Sequence, residues 1–402
     1  MDKAKIDAIY STHIKKMNSL KDTFRRDNID DIDWDGRLTA IKGARGVGKT
    51  TLMLQYIKET YKTNTTALYI SMDDLQLAGL TIFDIATHHD QQGGTHLFID
   101  EIHKYQNWSI ELKNIYDTIT NLKVVFLSSS ILQVYKGYAD LSRRAVTYQL
   151  HGLSFRAYLQ VETKMPFKKY SLEQILNNHV AIATEILQRI KPFMYFKNYL
   201  QYGYFPFYLE GKKTYDQKLN NILNVTLEVD LPYILDVNIH SVQKLKRLIK
   251  IIANAVPFTP NITKLAEAIE VTRNTVLQYL LYLEQAEIFN LLHTVEKSYT
   301  HLIKPEKIFL QNTNVCYAFN NNNPNIGTVR ELFFLNQLKT VAQVNYTKQG
   351  DFLVNEKYIF EIGGAKKTFA QIADILNSFL AADDIEYGVG NKIPIWLFGF
   401  LS

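Results

Sequence analysis

The segment Gly43-Ala44-Arg45-Gly46-Val47-Gly48-Lys49-Thr50 constrains this chain more than any other stretch, because it satisfies G-x-x-x-x-G-K-[ST] at every fixed position. An apolar run, Leu38 to Ile41, precedes it and reads as a strand, while Leu52, Leu54, Tyr56 and Ile57 follow at helical spacing as far as Tyr61. A glycine-rich turn between a strand and a helix points backbone N–H groups inward, and the helix dipole favours an anion at that end. The pattern therefore predicts that Gly43, Ala44, Arg45, Gly46, Val47, Gly48, Lys49, Thr50 and Thr51 bind the phosphates of a nucleotide. Lys49 is expected at the β and γ phosphates, and Thr50 on Mg²⁺.

Strand-like and helical segments then alternate. Ala67 to Ile70 reads as a strand, a polar helical interval follows, and the apolar run Leu97-Phe98-Ile99 ends in Asp100-Glu101. Such alternation predicts a parallel sheet with helices on its faces, the α/β class. An apolar strand closed by two carboxylates, downstream of a complete glycine loop, predicts that Asp100 serves Mg²⁺ and that Glu101 orients and activates the attacking water. Lys49 and Glu101 are thus the expected catalytic pair. A further apolar run, Lys123 to Leu127, ends in Ser128-Ser129-Ser130. If this strand lies between the other two, Ser129 would face the γ phosphate as a sensor, where otherwise the serines only start a loop or cap a helix; in the nearby pair Arg143-Arg144, Arg144 would either add positive charge to the transition state or sit solvated or in a structural salt bridge. Residues 4 to 24 carry apolar positions at helical spacing, so a leading amphipathic helix is expected to pack on this domain.

Charge and cysteine usage limit the alternatives. A single cysteine, Cys316, excludes an intrachain disulfide and a thiolate zinc site of ordinary spacing. No apolar run approaches the length of a membrane span, and the first residues lack the apolar core of a secretory signal, so a cytoplasmic protein without membrane association is expected. The net charge of +5 over 402 residues permits a nucleic-acid partner without requiring one.

Beyond the α/β region the chain is helix-rich. Ile262 to Ala268, a break at Val271-Thr272 and a longer helix from Arg273 to Gln285 form a helix-turn-helix pattern, with Ile288 to His293 and His301 to Ile303 expected as a wing. Seven basic and six acidic residues lie between Asp236 and Thr300, and the local basic cluster is Lys244, Lys246, Arg247 and Lys250. Such a module either reads DNA or packs.

Taken together, the glycine loop, Phe98 to Tyr105 with Trp108, Leu141 to Ala145, Leu153 to Arg156, Gly203 to Phe207 and Asp230-Leu231-Pro232 resemble a family of bacterial and archaeal AAA+-type ATPases. The resemblance implies a P-loop ATPase domain over 1–157, a helical connector over 158–235, a winged helix over 236–303 and a small α/β domain of restriction-endonuclease-like fold over 304–402. It implies ATP and Mg²⁺ as cofactors and DNA or another nucleic acid as a partner, and it leaves oligomerisation open. In the last domain it implies a second metal site at Glu331, Asp351 and Glu361, with Glu331 opening a helix; the expected E-x-K lysine is replaced by Gly363, and Lys366 or Lys367 would have to reach back. The reading that follows is an ATPase coupling hydrolysis to conformational change and nucleic-acid interaction. Two alternatives are a nucleotide-dependent switch that binds a protein partner with negligible turnover and a nuclease regulated by ATP.

Overall fold

The computed structural model describes residues 3–20, 24–62, 65–128, 141, 143–232, 239–297, 303–320 and 322–401. The chain divides into two compact units, Met1–Gly152 and Leu153–Ser402.

The first unit is built on five parallel strands: β1 (Leu38–Lys42), β2 (Ala67–Ser71), β3 (His96–Asp100), β4 (Lys123–Ser128) and β5 (Val146–Gln149). Their order is β2-β3-β4-β1-β5, an arrangement typical of P-loop NTPases, and β4 is inserted between the glycine-loop strand and the strand ending at Asp100. Every residue of β3 is buried, as expected for a parallel strand covered on both faces. On one face Leu38, Ala40, Leu97, Ile99, Val124 and Phe126 meet Ile9, Ile85 and Leu112, which come from α1 (Lys3–Ser19), α3 (Ile82–Gln91) and α4 (Trp108–Thr118). On the other, Phe98 packs against Trp34 and Tyr56, which stack at 4.1 Å; Tyr56 belongs to α2 (Lys49–Tyr61). Burying a side chain such as Phe98 completely is worth about 2–3 kcal/mol.

The leading helix does more than cover apolar surface. β2 is an edge strand, so alternate N–H groups on its open side need a partner. The Tyr69 N–H finds one in α1, donating to His13 Nδ1 at 3.0 Å. Burial, together with the neighbouring His89, pulls the His13 imidazole down to about 4, so near neutral pH it is an uncharged acceptor.

The second unit opens with α5 (Phe155–Thr163), capped by Ser154, whose side chain accepts from Ala157 N. Phe155 packs against Phe196, Tyr199 and Phe400, which ties this helix to the second unit. Helices α6 (Leu172–Leu187), α7 (Phe193–Asn198) and α8 (Tyr215–Val225) follow. Then α9 (Ile239–Ala253), α10 (Ile262–Ile269) and α11 (Arg273–Gln285) lead into β6 (Phe289–Leu292). Glu270 ends α10 in the left-handed region and Thr272 caps α11 by accepting from Thr275 N, so the three residues Glu270-Val271-Thr272 make the turn between the helices. The strand paired with β6 is β7 (Lys307–Leu310), further along than His301 to Ile303; residues 301 and 302 of that expectation lie outside the described residues. The buried run Ile308-Phe309-Leu310 gives β7 the apolar character a paired strand needs.

After α12 (Thr313–Phe319) and α13 (Ile326–Leu338) comes a mixed sheet of β8 (Val344–Asn345), β9 (Phe352–Val354), β10 (Tyr358–Gly363), β11 (Ser378–Ala382) and β12 (Lys392–Pro394), in the order β12-β11-β10-β9-β8. Glu331 lies within α13 and does not open it. The helix starts a turn earlier because Asn325 accepts from the N–H groups of Gly327 and Thr328. Among the described residues no helix is long and apolar enough to cross a membrane.

Candidate active site

The glycine loop joins β1 to α2. Gly46 and Gly48 have φ of 87° and 93°, a region that L side chains avoid, and Gly48 caps the helix that begins at Lys49. Gly43 is required for another reason: a Cβ there would lie 2.2 Å from the Leu150 carbonyl oxygen. Leu150 N in turn donates to Lys42 O at 2.7 Å, so the loop is pressed against the segment following β5. Arg26, 5% exposed, braces the loop by donating to Val47 O and, at 2.7 Å, to His151 O. Nothing in the local pattern around Arg26 marked it, because its partners are remote in sequence. Ala44, Arg45 and Val47 complete the loop, and Thr51 lies in the first turn of α2.

Lys49 is buried and arches back over the loop, donating to Gly43 O at 2.7 Å and Ala44 O at 2.9 Å. Thr50 faces the end of β3, where its Oγ1 donates to Asp100 Oδ2 at 2.8 Å. The same oxygen accepts from Tyr69 Oη at 3.1 Å, and Asp100 Oδ1 accepts from Glu101 N at 2.8 Å. Burial, and then the adjacent Glu101, push the Asp100 carboxyl above its ordinary range, against the three donors that favour its anion. A threonine hydroxyl and a carboxylate this close supply two hard oxygen donors, a set that fits Mg²⁺. A cleft of about 320 Å³ opens beside them, lined by Thr12 and Lys16 of α1 and by Asp73, Asp74, Asp100 and Glu101.

Glu101 has φ 48° and ψ 39°, a left-handed conformation that costs a non-glycine residue about 1–2 kcal/mol. This backbone turns the chain sharply at the end of β3. Glu101 Oε2 lies 3.2 Å from Nε2 of His103, which is 1% exposed. His103 was not singled out in the sequence. It stands two positions after the carboxylate, where the short 3₁₀ turn brings its ring back.

Ser128 ends β4 buried, in register with Lys42 at the end of β1, while Ser129 lies outside the described residues. Arg144 is held at α4, with Nε and Nη2 donating to the carboxylate of Asp117 at 3.0 and 3.1 Å and its guanidinium over the Tyr116 ring. It does not line the cleft at Asp100.

The second unit gathers the other sequence-marked acids. Asp351 precedes β9 and accepts from Ile362 N at 2.8 Å, and Lys307 stands 3.8 Å from it. Glu361, on β10, is paired at 2.7 Å with Lys367. The stem of Lys367 crosses Gly363 so closely that a Cβ on that glycine would lie 2.5 Å from the Lys367 Cβ. Lys367, rather than Lys366, is therefore the lysine that reaches back. Glu331 is pushed up to about 7 by burial and then by Asp351, and its buried Oε2 has no hydrogen-bond partner among the described residues. Among the described residues no group of three His, Cys, Asp or Glu side chains is placed to hold a metal ion.

Residues 35–159 match the family model described as an AAA domain, and residues 194–325 match one described as a domain of unknown function, DUF8612. A curated relative, an uncharacterized protein of Methanocaldococcus jannaschii, is 28% identical over 266 residues. The match covers 62% of this chain and 55% of that protein, so the chain spans little more than half the length of the relative. Among solved structures, a Walker-type ATPase of Pyrococcus abyssi is similar at TM-score 0.42 and 11% identity, covering 76% of this chain and 99% of that one. AMPPCP-bound DnaA from Aquifex aeolicus is similar at TM-score 0.26 and 15% identity, over 64% and 84% of the two chains. With the AAA-domain match and the strand order in agreement, the first unit has an AAA-type, P-loop ATPase-like fold.

Proposed function

We propose that the protein binds Mg·ATP in the first unit, hydrolyses it to ADP and phosphate, and uses the cycle to change conformation and engage nucleic acid. The observation that carries this reading is the 2.8 Å approach of Thr50 Oγ1 to Asp100 Oδ2 at the N-terminus of the helix that follows the glycine loop. Thr50 and Asp100 would hold Mg²⁺, which offsets the negative charge of the β and γ phosphates. Lys49 leaves the carbonyls of Gly43 and Ala44 for the phosphate oxygens, which are stronger acceptors. Loop N–H groups face the same charge. Glu101 accepts a proton from the attacking water as the new P–O bond forms and the bond from the γ phosphorus to the bridging oxygen breaks; that proton passes on to the released phosphate. Arg144, compensated by Asp117, plays no direct part in this reading.

For the nucleic-acid partner the support is the helix pair α10 and α11, the second of which exposes Arg273, Asn274 and Gln278.

Phosphate release from ATP, measured with Mg²⁺ and with EDTA and with and without DNA, tests the proposal. Metal-dependent turnover that DNA accelerates is expected. Failure to bind a non-hydrolysable ATP analogue in the presence of Mg²⁺ would overturn it, and tight binding without turnover would select the switch reading.

A further inference from the structure

Three donors meet the Asp100 carboxylate, and two of them have other work to do in an ATPase cycle. The Thr50 hydroxyl is shared with the cation, and the N–H of Glu101 belongs to the residue that handles the attacking water. Tyr69 is the donor without a second task. Its Oη reaches Asp100 Oδ2 at 3.1 Å, the oxygen that also faces Thr50. It comes from the neighbouring strand, where Ser71, two residues on, is the register partner of Asp100. Tyr69 is 3% exposed, and its backbone is fixed from the side opposite β3 by the bond from its N–H to His13 Nδ1. Both ends of the residue are thus immobilised before any ligand arrives.

We propose that Tyr69 is a positioning residue for Asp100, keeping its Oδ2 aimed at the Thr50 hydroxyl so that the two oxygens are preorganised for Mg²⁺. This rests on the ATPase reading above. Groups that orient a metal's ligands without touching the metal set affinity as well as geometry, and their loss typically weakens metal binding about 10- to 100-fold. A neutral donor to one oxygen of a carboxylate held by two further donors belongs at the lower end of that range.

The test is the Mg²⁺ dependence of binding of a fluorescent, non-hydrolysable ATP analogue to the full chain, with Mn²⁺ binding followed by electron paramagnetic resonance as a second readout. Tyr69→Phe is compared with the wild type and with Tyr56→Phe, which removes the hydroxyl from a ring stacked on Trp34 instead. Tyr69→Phe is expected to raise the metal concentration for half-maximal binding about 10-fold, with metal-free nucleotide affinity unchanged and Tyr56→Phe like the wild type. An unchanged metal midpoint in Tyr69→Phe overturns the inference. An equal loss of metal-free nucleotide binding overturns it too, by assigning the phenol a merely structural role. If the wild type itself shows no metal-dependent nucleotide binding, the ATPase reading falls first, and that result differs from both.

Discussion

Each unit of this protein buries carboxylates beside a sheet, and the two balance that charge in opposite ways. Among the described residues the groups that hydrogen-bond the Asp100 carboxylate are neutral donors, Thr50, Tyr69 and the Glu101 N–H, and burial works against the anion. Around Glu361 and Asp351 the chain supplies its own cations, Lys367 at 2.7 Å and Lys307 at 3.8 Å, and Glu331 sheds part of its charge by holding its proton to about 7. A buried anion served by dipoles alone gains most from a cation that arrives with a ligand; one already paired with a lysine gains little, because the lysine must be displaced first. By that reasoning the first cluster suits the exchangeable cation proposed above, and the second is close to self-sufficient.

The largest expected effect tests the first half of the comparison. Lys49→Ala removes the ammonium from a loop with no other lysine, and Mg·ATP affinity is expected to fall about a thousandfold, roughly 4 kcal/mol, by equilibrium binding of a labelled analogue. Wild-type affinity in this variant would break the assignment of the loop as the phosphate site. Glu101→Gln preserves shape but is a far poorer base: turnover should drop about 10²- to 10³-fold while nucleotide binding stays within about threefold. Comparable turnover would move the handling of water to another group.

The second half is tested by pH. Because the folded-state value of Glu331 lies near 7, above its ordinary 4.5, the native state binds more protons than the unfolded state between those values. Stability attributable to this residue is therefore full below about 4.5 and is lost as pH rises towards 7, by at most about 3 kcal/mol. Glu331→Gln should accordingly be more stable than the wild type at pH 8, by about 1–3 kcal/mol, and no more stable at pH 4.5. Chemical denaturation at the two pH values decides this. Equal stabilisation at both would place the effect in packing and not in charge.

Smaller effects sharpen the comparison at the surface. In α9, Lys244 donates to Glu270 O, Lys246 pairs with Glu228, and Arg247 lies 3.8 Å from Glu270, so three members of the basic cluster already have partners in the protein. Replacing Lys244, Lys246, Arg247 and Lys250 together should change the salt slope of nucleic-acid binding by less than about 1, where four free phosphate contacts would change it by about 3.6. A full-sized change would show that these pairs open on binding. The smallest effect is expected from the second carboxylate cluster: supercoiled plasmid incubated with Mg²⁺ or Mn²⁺ should be nicked slowly or not at all. Robust nicking lost in both Asp351→Ala and Lys367→Ala would break the contrast outright, because a lysine-paired cluster would then be a working metal site.

The sequence by itself determined the features whose physics is local. The glycines at 46 and 48 are needed because one turn demands positive φ, the lysine and threonine that follow sit on the first turn of the same helix, and the carboxylates at 100 and 101 end an unbroken apolar strand. The helix-turn-helix pattern was legible for the same reason, since Asn261 and Thr272 each cap a helix through a bond to a residue three positions on. What depended on the order of strands was left to the tertiary structure. The placement of β4 between β1 and β3, and the arrival of the Tyr69 hydroxyl at Asp100 from the next strand, follow from how the sheet is assembled. Strand order also decided that the Tyr69 N–H lies on an open edge for His13 to fill. Of the roles open to Arg144, a charge at the transition state or a structural salt bridge, the fold supplies the partner for the second in Asp117, and Lys367 rather than Lys366 is the residue whose stem crosses the bare Cα of Gly363. Capping and loop geometry are encoded within a few residues. The balance of buried charge depends on which distant side chain the fold delivers.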